Sequence, residues 1–235
     1  MTEKLGPLIA VVGCDGSGKT TVSEAVLAWV RRYGPTETAH LGLRSGDLGR
    51  AIKRFRFGGA RIEAAATRRA TQARDTEDKI PDALTALVIY IFSLFRVRRF
   101  RRMMALRRKG IIIVTDRYPQ IEVPGFYDGP GLSAARAEGG FVQMLAQRER
   151  RLYEWMASYR PDLVIRLNVD LETAFARKPD HKYDSLKAKV AVTPLLRFNG
   201  AKIVDLSSLD PLPQVITEAE AAIAAQLEAM GYHAR

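Results

Sequence analysis

A glycine-rich loop near the start of the chain constrains the fold more than any other feature. Residues 13–20 read Gly-Cys-Asp-Gly-Ser-Gly-Lys-Thr, the pattern G-x-x-x-x-G-K-T. The apolar run 8–12 before it predicts a buried parallel strand, and the apolar spacing over 19–32 predicts a helix after it. Between a strand and a helix, such a loop binds phosphate, because its backbone N–H groups converge on phosphate oxygens beside the electropositive helix N-terminus. The sequence therefore predicts a P-loop protein.

The loop assigns roles to its residues. Lys19 would reach the β- and γ-phosphates of ATP, and the Thr20 hydroxyl would ligate Mg²⁺. The predicted ATP-binding residues are Gly13, Asp15, Gly16, Ser17, Gly18, Lys19, Thr20 and Thr21. Cys14 has no base near it in sequence and is predicted to be a small packing residue rather than a nucleophile.

Strands and helices alternate along the rest of the chain. Further strands are predicted at 38–43, 111–115, 163–169 and 201–206, and further helices at 81–109, 133–158, 171–178 and about 211–230. This order predicts an α/β fold with a mostly parallel sheet, organised as a single domain over 1–235. In such sheets ligands bind at the carboxyl ends of the strands, so chemistry is expected just after each strand.

Composition excludes several classes of protein. A chain of 235 residues with 47% hydrophobic residues is neither disordered nor fibrous. One cysteine allows no intramolecular disulfide and no Cys-based zinc site. The apolar runs are too short for a signal peptide or a membrane span, which predicts a soluble, cytoplasmic protein. The apolar stripe at helical spacing within 84–95 is expected to face the core.

Positive charge is concentrated in one part of the chain. The net charge is +11, and residues 44–109 carry 18 Lys and Arg against 6 Asp and Glu. The segment 96–109 alone has eight positive residues and no acid. Such a patch favours anionic partners such as nucleotide phosphates, nucleic acid or an anionic membrane, although part of it must simply be a solvated helix face.

A second polar motif, Asp116-Arg117-Tyr118, follows the predicted strand 111–115. An aspartate here could hold Mg²⁺ through water or accept a hydrogen bond from an acceptor substrate, and Arg117 could bind a phosphate through two N–H groups. An aspartate that ends a strand can also simply cap a turn. The chain has no Asn-Lys-x-Asp guanine signature, which argues against a GTPase.

The two motifs together, at 13–21 and 116–118, resemble those of the thymidylate kinases among the nucleoside monophosphate kinases. Leu94-Phe95 with Arg99, Pro-Asp-Leu at 161–163 and Asn-Val-Asp at 168–170 are similar to further motifs of that family, so that the resemblance covers about residues 6–210. It implies a three-layer fold with a five-stranded parallel sheet, helices on both faces and a short lid at about 177–190. It also implies ATP- and Mg²⁺-dependent phosphoryl transfer to a nucleoside monophosphate.

The resemblance implies an acceptor site as well. Asp15 would face the sugar of the acceptor, and Arg99 and Arg117 would bind its phosphate. Arg44 stands where the family has an arginine followed by Glu-Pro-Gly, and Tyr127 lies in the segment that replaces the family's Tyr-Gln pair. The predicted acceptor-binding residues are thus Asp15, Arg44, Arg99, Arg117 and Tyr127.

The catalytic cation is expected from the lid. Gly16 stands where one branch of the family has a catalytic arginine, so Arg177, Lys178 or Lys182 would supply the missing charge. An exposed loop is the alternative reading of these lid charges. The predicted catalytic residues are Lys19, Asp116, Arg117, Arg177 and Lys178, and the predicted Mg²⁺ ligands are Thr20 and Asp116.

The acceptor stays open at this point. Ser-Gly-Asp follows Arg44, and Pro-Gly-Phe-Tyr-Asp-Gly-Pro fills 124–130, where the family recognises thymine. A nucleoside monophosphate is the favoured acceptor, with another small metabolite as the alternative. A different class of function is a nucleotide-binding module that docks on nucleic acid or an anionic membrane through the basic helix 96–109. The oligomeric state is open too, including a homodimer.

Overall fold

The computed structural model of the protein describes residues 5–42, 83–134 and 139–235. In these ranges five parallel strands form one sheet in the order β2-β3-β1-β4-β5. The strands are β1 (Leu8–Gly13), β2 (Thr36–Ala39), β3 (Ile112–Thr115), β4 (Leu163–Asn168) and β5 (Ile203–Ser207). Every residue of the central strand β1 is buried, which explains its uninterrupted apolar sequence.

Helices cover both faces of the sheet. In the described ranges they are α1 (Lys19–Val30), α2 (Ala83–Arg108), α3 (Gly140–Ala157), α4 (Leu171–Arg177), α5 (Tyr183–Val192) and α6 (Leu212–Ala229). Alternate side chains of β1 point to opposite faces. Ile9 and Val11 pack with α1 and α6, whereas Leu8, Ala10 and Val12 pack with α2 and α3. The predicted α/β fold with a five-stranded parallel sheet and helices on both faces is confirmed.

Two predicted element boundaries were wrong, and one helix was not predicted. The second strand is Thr36–Ala39 rather than 38–43, because its partner within the described ranges is β3, which ends at Thr115, opposite Ala39. The helix predicted over 133–158 begins only at Gly140, after Gly139, whose φ of 92° is not helical. The helix α5, within the predicted lid at about 177–190 for its first eight residues, was not predicted. The closing helix, by contrast, lies within one residue of its predicted ends.

The apolar stripe of α2 does not face the core as expected. Leu84 and Leu87 are exposed, and the buried face of the first turns is formed by Thr85 and Ala86. Ala86 packs with Leu132 and with three residues of α3, and this contact sets the rotation of α2 about its axis. Among the helices of the described ranges, none combines the length and the apolarity that crossing a bilayer requires.

Candidate active site

The P-loop lies at the carboxyl end of β1, directly before α1. Gly16 and Gly18 both have left-handed backbone conformations, with φ of 86° and 76°. A Cβ atom on Gly16 would also lie 2.7 Å from the carbonyl oxygen of Ala174, because α4 packs directly on the loop. Position 16 therefore has no room for the arginine that one branch of the thymidylate kinases carries there.

One carboxylate, that of Asp15, joins two lysines of the site. Lys19 Nζ lies 3.3 Å from Asp15 Oδ1 and also donates to the carbonyl oxygen of Cys14 at 3.1 Å. Lys189 Nζ, from α5, lies 2.6 Å from Asp15 Oδ2, and Nδ1 of His181 lies 3.7 Å from the same oxygen. Burial alone would raise the pKa of Asp15, but the hydrogen bond from Lys189 and the charge of Lys19 hold it well below its usual value.

The helices α4 and α5, which overlap the lid predicted at about 177–190 and are here called the lid, pack on the P-loop. Leu186 of α5 and Ala174 of α4 form a small core with Cys14. Burial raises the pKa of the Cys14 thiol to about 11, so that the thiol is protonated at neutral pH and packs as predicted. The P-loop and the lid therefore share apolar contacts as well as charges.

The predicted lid cations lie in different places. Arg177 donates to the carbonyl oxygens of Gly16 at 3.2 Å and Ser208 at 3.0 Å, so it braces the loop backbone. Lys178 caps the carboxyl end of α4 with an exposed side chain, and Lys182 is exposed at the start of α5. The lysine nearest the P-loop carboxylate is Lys189, which the sequence reasoning missed.

Lys189 was missed because the sequence analysis predicted no helix over 183–192. Leu186 and Lys189 are three residues apart, which places them on one face of a helix. Had a helix been predicted over 183–192, Leu186 would have identified the face toward the core and Lys189 the cation beside it.

The carboxyl ends of β2 and β3 bring three further predicted residues together. His40 Nδ1 lies 2.9 and 2.8 Å from the two carboxylate oxygens of Asp116, which gives this histidine a protein partner. Arg99 donates to the carbonyl oxygen of Gly42. A Cβ atom on Gly42 would lie only 2.5 Å from Cδ of Arg117, so the Arg117 side chain packs tightly on this backbone.

The loop after β3 connects this second cluster to the P-loop. The Tyr127 hydroxyl donates to the carbonyl oxygen of Gly13 at 3.0 Å and accepts from the Gly13 N–H. Gly13 pairs with Leu167 of β4 on one side, while β3 ends at Thr115, so Tyr127 satisfies the edge that β3 leaves uncovered. The tyrosine predicted to bind an acceptor thus has its hydroxyl on the P-loop backbone.

Asp128, the next residue, pairs with two arginines. Its carboxylate lies 2.8 Å from Nη2 of Arg96 and 3.4 Å from Nη1 of Arg117. The charge of Asp128 raises the pKa of Arg117 further above its usual range. Neither Arg96 nor Asp128 was among the predicted site residues, because no pattern in the sequence connects them. Arg44, the remaining predicted acceptor residue, lies outside the described residues.

Thr20 and Asp116 suit Mg²⁺ by the chemistry of their oxygens. Thr20 is exposed in the first turn of α1, and hydroxyl and carboxylate oxygens are the ligands that this cation prefers. Within the described ranges, no group of three or more His, Cys, Asp or Glu could hold a metal ion by itself. Mg²⁺ in proteins usually takes one or two protein ligands and substrate phosphates in addition.

A P-loop at the carboxyl edge of a five-stranded parallel sheet, covered by a helical lid, defines the P-loop kinase-like class of α/β proteins. The chain is 44% identical over 221 residues to the uncharacterized ATP-binding protein YghS of Escherichia coli K12, covering 94% of this chain and 93% of that protein. It is 42% identical over 217 residues to the uncharacterized ATP-binding protein YghR of the same organism, with coverage of 92% and 86%. The chain belongs to the family of these two proteins.

The similarity extends further, at a lower level. A probable thymidylate kinase of Pyrobaculum calidifontis is 30% identical over 171 residues, covering 72% of this chain and 67% of that protein. No protein-family model matches the chain.

Proposed function

We propose that this protein transfers the γ-phosphoryl group of ATP to a small acceptor, with Mg²⁺ as cofactor. The observation that supports the proposal is the contact of Tyr127 with Gly13, because Tyr127 belongs to the loop that follows Asp116 and Arg117 and so connects that cluster to the P-loop. Two adjoining polar sites at one sheet edge suit a reaction between two bound substrates. A module that only binds a nucleotide has no use for the second site.

The relatives support the donor more directly than the acceptor. YghS and YghR carry ATP binding in their names, which favours ATP as the ligand of the P-loop. The probable thymidylate kinase favours a nucleoside monophosphate as the acceptor. The carboxylate of Asp128 beside Arg117 favours a different small acceptor, because it would repel an acceptor phosphate.

Catalysis would consist of positioning and charge neutralisation. Lys19 would leave Asp15 to bind the β- and γ-phosphates, and the N-terminus of α1 would stabilise the same anion. Lys189 would keep a second positive charge above the loop, and Arg177 would hold the Gly16 carbonyl in place. When bound, Mg²⁺ would neutralise phosphate charge, held by Thr20 and Asp116.

The docking alternative loses part of its basis. Of the basic residues in 96–109, Arg96 and Arg107 are buried and paired with Asp128 and Asp162, and Arg99 binds a backbone oxygen. The exposed charges that remain are those of Arg98, Arg101, Arg102, Arg108 and Lys109. They form an exposed face of α2 and of the turn that follows it, whereas Arg96 and Arg107 of the same helix make buried ion pairs.

The test is acceptor-dependent formation of ADP, measured with nucleoside monophosphates, nucleosides and sugars. We expect saturable turnover with one acceptor class, and we expect Lys19→Ala to lower kcat/KM at least about 10²-fold because it removes a cation from the transferred group. Lys109→Ala, an exposed lysine remote from the loop, is the matched control. If no acceptor increased the rate of ADP formation, and if nucleic-acid binding weakened steeply with salt, the proposal would be contradicted.

A further inference from the structure

Asp128 lies between two guanidinium groups at the second site, the cluster formed by Asp116, Arg117 and their neighbours after β3. Its carboxylate accepts from Arg96 at 2.8 Å and lies 3.4 Å from Arg117, and its backbone carbonyl accepts from Arg96 at 2.8 Å. The side chains of Arg96 and Asp128 are each 5% exposed, whereas that of Arg117 is 37% exposed. Arg96 and Asp128 thus form a buried pair, and the Arg117 guanidinium beside them is still accessible to a ligand.

The position of Asp128 is set by its loop and not by a flexible side chain. The Gln120 side-chain amide donates to the carbonyl oxygens of Val123 and Phe126, and its oxygen accepts from the Val123 N–H. Tyr127 and Asp128 both have left-handed backbone conformations, with φ of 41° and 61°, which non-glycine residues adopt only where the surroundings hold them. Tyr127 is also bound to the P-loop backbone. The loop therefore fixes the Asp128 carboxylate in its place beside Arg117.

The Asp128 carboxylate should lower the affinity of the second site for anions. It already neutralises one of the two guanidinium charges, and it would repel a phosphate dianion placed on Arg117. A phosphate could not displace Asp128 easily, because breaking a buried ion pair leaves an uncompensated charge in the interior. Arg99, the other arginine predicted to bind an acceptor phosphate, already donates to the Gly42 carbonyl oxygen.

We infer that Asp128 is a specificity-determining residue that selects an uncharged alcohol as the acceptor and disfavours a phosphomonoester. The inference rests on the proposed phosphoryl transfer. In that reaction the alcohol oxygen forms a bond to the γ-phosphorus of ATP while the bond from that phosphorus to the β–γ bridging oxygen breaks. The bridging oxygen keeps the electron pair in ADP, the alcohol proton passes to solvent, and the products are a phosphomonoester and ADP.

The first experiment measures binding, so that it does not depend on turnover. Thymidine 5′-monophosphate and inorganic phosphate are titrated into the wild-type protein and into Asp128→Asn, in the presence of ADP and Mg²⁺. We expect the variant to bind both anions at least about tenfold more tightly, because the repelling charge is gone while the amide oxygen can still accept from Arg96. A folded variant with unchanged or weaker anion affinity would overturn the inference.

The matched control is Asp162→Asn. Asp162 also pairs with a buried arginine, since it lies 2.9 Å from Nη2 of Arg107, but it lies at the amino-terminal edge of the sheet, away from the P-loop. This variant should lose a comparable ion pair with no gain in anion affinity. A gain of the same size in both variants would show general loosening and would count against a role for Asp128.

The second experiment uses only the wild-type protein and decides the matter if Asp128→Asn does not fold. ATP turnover is compared for matched pairs of an alcohol and its phosphomonoester, such as thymidine with thymidine 5′-monophosphate and glycerol with glycerol 3-phosphate. We expect the active pair to show kcat/KM at least about tenfold higher for the alcohol. A panel in which no alcohol exceeds its phosphomonoester overturns the inference.

The outcomes also separate the inference from the proposed function. Preferred turnover of a phosphomonoester keeps the proposed phosphoryl transfer and removes the role of Asp128. An absence of turnover with every acceptor removes the proposed function, and the anion affinities of wild type and Asp128→Asn then decide on Asp128 alone.

Discussion

Lys189 Nζ and Asp15 Oδ2 lie 2.6 Å apart, and this contact joins the lid helix α5 to the P-loop. Because Asp15 Oδ1 lies 3.3 Å from Lys19 Nζ, a single carboxylate is shared by the P-loop lysine and a lid lysine. A change in the position of Lys19 therefore changes the charge that holds the lid. The structure couples the nucleotide site to the lid through Asp15.

The stability contribution of Asp15 should depend on pH. The two lysines lower its pKa in the native protein, so ionised Asp15 stabilises the fold at neutral pH. This contribution should disappear as pH falls from about 4, the unfolded-state value, through the lower native pKa. Urea unfolding should therefore show a gap between wild type and Asp15→Asn of about 1–2 kcal/mol at pH 7 that shrinks by pH 3.

The lysines of α5 provide the control for this prediction. Lys189→Met removes the hydrogen bond to Asp15 and raises its native pKa toward the unfolded-state value, so the gap at pH 7 should be smaller and should finish closing at a higher pH than in the wild-type background. Lys187→Met changes an exposed lysine of the same helix and should leave the pH dependence unaltered. A gap that stays constant between pH 7 and pH 3 would contradict the coupling of Asp15 to the two lysines.

Gly16 and Gly18 should respond differently to alanine. Both have positive φ, so each substitution carries a backbone strain of about 1–2 kcal/mol. Among the described residues beyond its own chain neighbours, no atom lies within 4 Å of a Cβ on Gly18, whereas a Cβ on Gly16 would lie 2.7 Å from the Ala174 carbonyl oxygen. Gly16→Ala should therefore cost about 1–3 kcal/mol more in urea unfolding and should also weaken ATP binding. Equal losses would mean that α4 does not restrict position 16.

Tyr127→Phe tests the connection between the second site and the P-loop. Without the hydroxyl, the Gly13 N–H and carbonyl lose their partner on the β3 side, which should lower the free energy of unfolding by about 1–3 kcal/mol. Burial raises the pKa of Tyr127 above its usual 10, so the loss should be the same from pH 5 to pH 9. Tyr183→Phe, at a half-exposed tyrosine of the lid, is the control and should change stability by less than about 0.5 kcal/mol.

Arg177→Ala separates a structural brace from a catalytic cation. Because Arg177 already holds the carbonyl oxygens of Gly16 and Ser208, we expect its loss to raise the Kd for ATP about tenfold. Lys178→Ala, at the exposed neighbour, should leave the Kd unchanged. If Arg177→Ala instead lowered kcat by about 10³-fold with the Kd preserved, the arginine would serve the transferred phosphoryl group, as the sequence predicts. Equilibrium binding and steady-state kinetics on both variants distinguish the two outcomes.

The P-loop and the order of the layers were predictable because their signals are local. A buried strand, a glycine-rich turn and an amphipathic helix are each readable within about fifteen residues. The same reasoning failed for α5, whose single buried residue, Leu186, leaves almost no periodic pattern. It failed for β2 as well, because the end of an edge strand depends on its neighbour β3 and not on its own residues.

The sequence by itself determined the fold class and the position of the P-loop, and it predicts Lys19 and Thr20 as the functional residues of that loop. Only the tertiary structure decided which charges meet. Asp15 and Lys189 are 174 residues apart, and Arg96 and Asp128 are 32 apart. No pattern of neighbouring residues could therefore have predicted either pair. Charged side chains are paired by the packing of the elements that carry them, and that packing is a property of the whole fold.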